Sequence, residues 1–347
     1  MKAALFEAIG RLRITEVEMP EIDGPDEVLM RVGAVGVCGS EIHAFKGTHP
    51  FRRPPAVMGH EVAGEIVEVG AGVRDFAVGD RVFVDPQWTC GACEWCRSGR
   101  RNLCPEKTVL GTPGWSGGLG AYMVAPEQSL YRLRDEMSDV TATLIEPLSV
   151  GVHAVDRAGL QAGESVAVLG TGPIGMVTAA MCQVQGASPI VAVDVQPHCL
   201  AVAKTHMGAT HTLRAGEGRV VERALEITGG RGFDVVFLTV GVSALVGDAL
   251  KMVERAGRVV FVALFDEPVR FEAFEIVGRE VSFVGSQMYD DEDIQTAVDL
   301  VSSGRVAVDA MVTHVLPLEE AQRGFELVAT KAEGAIKVVL TFGAEDG

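Results

Sequence analysis

Two hydrophobic rhythms divide the chain. Up to about residue 150, apolar positions fall in short valine-rich runs broken by glycine: EVLMRVGAVGV (27–37), EVAGEIVEVG (61–70) and DRVFVDP (80–86). Runs of this length bounded by Gly, Pro or Asp predict strands. The first part is therefore expected to be a β-rich domain with long loops.

From residue 151 the pattern changes. SVAVLG (165–170) leads through a glycine turn into an apolar helical run, GMVTAAMCQVQ (175–185), and then into PIVAVD (189–194). Further strands are predicted at FDVVFLTV (233–240), GRVVFVAL (257–264) and EVSFVGS (280–286), separated by helical segments such as ALVGDALKMVERA (244–256). Strands buried on both faces read as continuous apolar runs, so the pattern predicts a parallel sheet with helices on each side. The tail, from Met288, holds a helix candidate, DEDIQTAVDLVSSG (291–304), and ends in the strand-like AIKVVLTF (335–342). No internal repeat or low-complexity segment interrupts this order.

Length and charge narrow the picture. At 347 residues, two domains of ordinary size are expected. The stretch from Ser165 to Val193 has no Asp, Glu, Lys or Arg over 29 residues, long enough on that count to cross a bilayer. Its glycines, prolines and glutamines assign it instead to the first βαβ unit. A formal charge of −17 repels phosphate backbones and anionic lipid surfaces, so neither nucleic acid nor membrane is an expected partner. MKAALFEAIGRLRITEV lacks the apolar core and cleavage site of a secretory signal, and a cytoplasmic location is expected. In that reducing setting seven cysteines, four of them clustered, point to metal rather than to disulfides.

Gly170, Gly172 and Gly175 form G-x-G-x-x-G, with Pro173 and Ile174 inside the motif, directly after a predicted strand and at the mouth of a predicted helix. There, glycines permit a tight turn, close approach to a pyrophosphate and helix–strand packing. Asp194, 19 residues after Gly175, ends the next strand, where a carboxylate accepts from adenosine ribose hydroxyls. Val195, Gln196 and Pro197 follow it, and nothing there welcomes a 2'-phosphate. NAD is expected rather than NADP.

Cys90, Cys93, Cys96 and Cys104 have the spacing C-x2-C-x2-C-x7-C. Four thiolates on one short loop close a tetrahedron around zinc with no position left open, the mark of a structural site. A second set is scattered: Cys38 in VCGSEIH, His60 and Glu61 in MGHEVAGE, and Glu146 in LIEPLSVGVHA. Individually these have bland readings as core, turn or cap residues, and spacing alone does not unite them.

Taken in order, VCGSEIH, GHE, the four-cysteine loop, EPLSVGVHA and GTGPIG resemble the zinc-containing medium-chain alcohol and polyol dehydrogenases over essentially the whole chain. The resemblance implies an α/β protein with a GroES-like β-barrel catalytic domain (1–150, completed by 288–347) and a Rossmann NAD-binding domain with a doubly wound parallel sheet (151–287). It implies a catalytic zinc in the interdomain cleft, held by Cys38 and His60, with Glu61 and Glu146 approaching directly or through water. Which carboxylate binds at a given step it leaves open. With the structural zinc this makes two zinc ions per subunit. Zinc with an open position supplies Lewis-acid polarisation of an alcohol oxygen. Ser40 matches the hydroxyl that takes the substrate proton, and His43 the histidine that passes it to solvent by way of the ribose. A homodimer or homotetramer is implied as well.

Two positions depart from the family pattern. Glu41 stands where an Asp usually orients the zinc-bound histidine, so the longer side chain must adjust that geometry. In GSQMY (285–289), Met288 replaces an arginine near the substrate of sugar-polyol enzymes, while Tyr289 remains. A secondary alcohol, diol or polyol is the expected substrate, with sorbitol itself less favoured. Trp115, in TPGWSGGLG, is either an apolar pocket wall or core packing. The alternatives are threonine 3-dehydrogenase-like oxidation of an amino alcohol, and a non-catalytic NAD-binding protein of the same fold.

Overall fold

The run at 27–37 forms the central strand of the first half, Glu27–Gly36, in a computed structural model that describes residues 1–265 and 267–343. Its neighbours are Glu61–Val69 and Tyr122–Pro126, both antiparallel, and the C-terminal strand Lys337–Thr341. Beyond Glu61–Val69 lie Arg81–Val84 and Leu130–Arg132, and beyond Lys337–Thr341 lies Val312–Pro317. Lys2–Ala8, Arg11–Glu16 and Ala56–Val57 make a separate three-stranded sheet. Alternate residues such as Val28, Met30 and Val32 are buried with Val62, Ile66, Val338 and Phe325 in one core. This unit comprises Met1–Glu146 and Met311–Gly347.

In the second unit, Pro147–Ala310, six parallel strands lie side by side. Their order is His211–Arg214, Ile190–Asp194, Val166–Leu169, Phe233–Leu238, Val253–Phe261 and Ser282–Gly285. That order reverses direction at Val166–Leu169, the arrangement of doubly wound dinucleotide-binding folds. The apolar run after Gly172 is the helix Pro173–Val184, 12 residues long and bounded by polar segments. No helix among the described residues is long and apolar enough to cross a membrane.

Two expectations need correction. The second unit extends to Ala310, not 287, so the helix Asp291–Ser302 belongs to it rather than to the catalytic tail. Asp293 holds it there by accepting from His153 Nδ1 at 2.7 Å, and Ile294, Ala297 and Leu300 are buried. The segment 244–256 is helical only through Met252, and Val253 opens the next strand. Ala256, with φ 59°, bends that strand where its parallel pairing slips register. The strand His211–Arg214 went unrecognised, because an edge strand exposed on one side lacks a continuous apolar run.

Candidate active site

The helix Gly39–Phe45 starts immediately after Cys38, its N-cap, and carries Ser40 and His43 three residues apart on one face. Glu41, between them, is fully buried. Its Oε2 accepts from the Cys38 amide at 3.0 Å, and its Oε1 accepts from the Gly59 amide at 2.8 Å and from His60 Nδ1 at 2.9 Å. One carboxylate thus fixes the backbone of Cys38 and the ring of His60. With Nδ1–H given to Glu41, Nε2 is the nitrogen left for a metal. Burial alone would raise the Glu41 pKa, but His60 and Arg52 hold it down at about 2. Burial works against the charged form of His60, and Glu41 outweighs it, raising His60 well above the usual histidine range. The extra methylene of Glu relative to Asp is taken up by this three-way contact.

His60 and Glu61 sit where the loop from the helix enters the strand Glu61–Val69. Donor atoms of Cys38, His60 and Glu61 all lie within 4.8 Å of one another. The fourth candidate, Glu146, is buried in the first turn of the helix Ile145–Ala158 and falls outside that close group. Gly36 is Glu61's partner across the sheet, and a Cβ there would lie 1.9 Å from Glu61 Oε2. Glycine is therefore what admits the carboxylate at this point.

Two cations at the site went unrecognised. Lys337, 1% exposed, donates to Glu61 Oε1 at 2.6 Å and Oε2 at 2.7 Å, and lies 3.4 Å from the Val37 carbonyl. Burial would lower its pKa, but Glu61, Cys38 and Glu146 raise it, so the ammonium stays charged. Its one signal was a lone lysine inside the apolar run AIKVVLTF. Arg52, 4% exposed, donates to Ser40 Oγ at 2.8 Å and had no distinguishing spacing at all. His43 Nδ1 is 3.1 Å from the Thr48 hydroxyl, and the ring remains half-buried.

The four-cysteine loop is a separate constellation. All four Sγ atoms lie within 4.8 Å of one another, with Cys93 3.5 Å from Cys96 and Cys104 3.6 Å from Cys90. The amides of Cys93 and Cys96 donate to Cys90 Sγ and Cys93 Sγ, each at 3.4 Å. Backbone donation lowers the Cys90 pKa to about 7. The buried ion pair of Arg101 with Asp85 ties the loop to the strand Arg81–Val84 side of the sheet. Trp115 resolves to core packing: it is 6% exposed, donates to the Val124 carbonyl at 2.8 Å and meets Trp88 edge-on at 5.8 Å.

In the second unit the glycine motif has three distinct geometries. Gly170 has φ 94°, which favours glycine. Gly172 faces open space, leaving its backbone approachable, and Gly175 is packed so tightly that a Cβ would sit 1.9 Å from the Gly170 carbonyl. Pro173 and Ile174 form the first turn of the helix behind them. Asp194 Oδ2 accepts from the Thr171 amide at 2.6 Å and Oδ1 from the Gln196 amide at 2.8 Å, so it also braces the glycine turn. Met288 has φ 49°, and the following Tyr289 is fully buried.

Both halves match known families, residues 24–135 the alcohol dehydrogenase GroES-like domain and residues 173–303 the zinc-binding dehydrogenases. Sorbitol dehydrogenase of Bacillus subtilis (strain 168) is 36% identical, covering 98% of this chain and 97% of that protein. The chain belongs to the zinc-containing medium-chain dehydrogenases. It is an oxidoreductase of their polyol branch. Among solved members of the family, 2R,3R-butanediol dehydrogenase from Bacillus subtilis is 31% identical with a TM-score of 0.89, covering 98% of this chain and 99% of that one. A zinc-binding dehydrogenase structure from Sinorhizobium meliloti 1021, bound to NADP, is 33% identical with a TM-score of 0.90 and covers 98% of each chain.

The donor sets suit the family's metal. Cys38, His60 and Glu61, whose donor atoms converge within 4.8 Å, would offer a zinc ion three ligands, and the four converging cysteines would offer four.

Proposed function

We propose that this chain is an NAD-dependent zinc dehydrogenase that oxidises a secondary alcohol, diol or polyol to a ketone. The observation that carries the reading is the convergence of Cys38, His60 and Glu61 beside the helix that bears Ser40 and His43. In it, Cys38, His60, Glu61 and Glu146 serve the catalytic zinc, and Cys90, Cys93, Cys96 and Cys104 hold a structural one. The bound ion supplies Lewis-acid polarisation of the alcohol oxygen. The protein's own part is positional and protonic. Glu41 orients His60, Lys337 neutralises and holds Glu61, Ser40 takes the substrate proton, and the half-buried His43 hands it toward solvent.

Gly170, Gly172, Pro173, Ile174 and Gly175 cradle the pyrophosphate in this proposal, and Asp194 selects NAD by accepting from the adenosine ribose. An NADP reading draws on the Sinorhizobium structure and on Arg214, the register partner of Asp194 on the adjacent strand. Arg214 is engaged with Glu217 at 3.5 Å, and Asp194 keeps its carboxylate at the turn, which supports NAD. The sorbitol and butanediol dehydrogenases among its relatives support a vicinal-oxygen substrate.

We include a homodimer or homotetramer in this proposal. In support, Phe274 and Val277, on a helix with no buried residue, are 80% and 75% exposed. We also propose a cytoplasmic location, the setting in which clustered cysteines serve a metal rather than disulfides. The test is cofactor reduction with NAD and with NADP across secondary alcohols, diols, polyols and threonine. NAD reduction on a diol or polyol is expected. Threonine as the best substrate would move the assignment to the amino-alcohol enzymes.

A further inference from the structure

Arg52 is a buried and multiply engaged side chain at the site whose role no motif assigns. It lies in the loop that follows Gly39–Phe45, and that loop is shaped by His49, whose Nδ1 accepts from the amides of Phe51 at 3.1 Å and Arg52 at 3.0 Å. Burial, and then the charge of Arg52, bring the His49 pKa down to about 4, so the ring stays a neutral acceptor. The guanidinium this delivers is 4% exposed. Nη1 donates to Ser40 Oγ at 2.8 Å, and Nη2 donates to the Leu110 carbonyl at 3.1 Å while lying 3.3 Å from His60 Nδ1. Because Nδ1–H goes to Glu41, that last approach is a contact of charges rather than a donor–acceptor pair. Nε is buried with no partner.

A buried guanidinium loses its hydration, and here it has no carboxylate to itself: Glu41, the acid it feels, is already bonded to His60. Stability alone is poorly served by such a placement. Its effect on Ser40 is specific. A serine hydroxyl has one hydrogen and two acceptor lone pairs, and an arginine only donates. The contact occupies one lone pair permanently, leaving one lone pair and one hydrogen. Those are what a relay needs, one to accept the substrate proton and one to pass a proton on.

We propose that Arg52 is the positioning residue of proton transfer, locking the Ser40 hydroxyl in its relay orientation. The proposal rests on the role given to Ser40 above. In the step, the substrate O–H bond breaks and a new O–H bond forms at Ser40 Oγ. The original Ser40 O–H bond breaks as its proton moves onward, and Arg52 keeps all of its protons throughout.

The experiment is a double-mutant cycle on the zinc-loaded enzyme with 2,3-butanediol, or with sorbitol where that is turned over faster. Arg52→Met should lower kcat by about 10- to 100-fold, the scale of a misplaced catalytic group. Zinc content and the KM for NAD should be unchanged, and the solvent deuterium isotope effect should rise. In a Ser40→Ala background the same change should alter kcat by less than about twofold. Added guanidinium ion should restore activity to Arg52→Met but not to the double variant. Losses that multiply in the double variant, or an Arg52→Met enzyme that loses zinc, overturn the proposal while leaving Ser40 in place. A fully active Ser40→Ala enzyme overturns the role of Ser40 itself and this proposal with it. Arg52→Lys, which keeps the charge but not the fork of donors, carries the same two outcomes if the methionine variant does not fold.

Discussion

Lys337 shows how much of the site depends on single side chains that no motif marks. Its ammonium is the counter-ion of a fully buried Glu61. Lys337→Met should therefore destabilise the metal-free protein by about 3–5 kcal/mol, the cost of stranding a buried charge. Denaturant unfolding of the apoprotein measures it, and a change within 0.5 kcal/mol, the size of an ordinary surface substitution, would refute the pairing. Cys38, His60 and Glu61 were legible only because recognisable motifs surround them. Lys337 and Arg52 were not: Lys337 reaches Glu61 from the far end of the sequence, and Arg52 lies in an irregular loop between Ser40 and His60, where no periodicity shows which way a side chain points. Glu41 lies between these cases: its departure from Asp was visible, but its bond to the Gly59 amide was not.

The elements divide along similar lines. Continuous apolar runs identified the inner parallel strands, because burial on both faces leaves no other pattern. They failed at the edge strand His211–Arg214 and at the join of helix and strand near Met252, where half-exposure and a tight connection blur the period. The shape of the glycine turn was legible: Gly170 takes a positive φ, Gly172 faces open space and Gly175 is tightly packed. Gly175→Ala places a methyl against the Gly170 carbonyl and should cost about 1–3 kcal/mol by overpacking. It should also raise the KM for NAD while leaving that for the alcohol near its original value. An unchanged KM for NAD would remove this turn from the cofactor site. The cysteine loop has four thiol donors within 4.8 Å, and its regular structure is limited to the four-residue helix Glu94–Arg97 and the short 3-10 turn Arg101–Leu103, so its shape depends on what those thiols hold. Cys93→Ser should lower the thermal midpoint or the assembly state first, with turnover falling only as folded protein is lost. A stable, fully assembled Cys93→Ser protein with low turnover would mean that the two metal sites have been assigned the wrong way round.

For the whole chain, the two hydrophobic rhythms correspond to two units with separate cores. What the pattern missed was the point of return: the chain re-enters the first unit at Met311, after the helix Asp291–Ser302, because that helix is pinned by His153 and Asp293 within the second. The central claim is a division of labour between an open metal site at Cys38 and a closed one at the cysteine loop. Zinc content measured alongside NAD reduction tests it most directly, in the wild-type protein, after chelation and in Cys38→Ser. About two zinc ions per chain are expected, one of them removed by chelator in step with activity. Cys38→Ser should stay folded with about one zinc and less than about 1% of the wild-type turnover. A single tightly held zinc in the wild type, or a fully active Cys38→Ser enzyme, would contradict it.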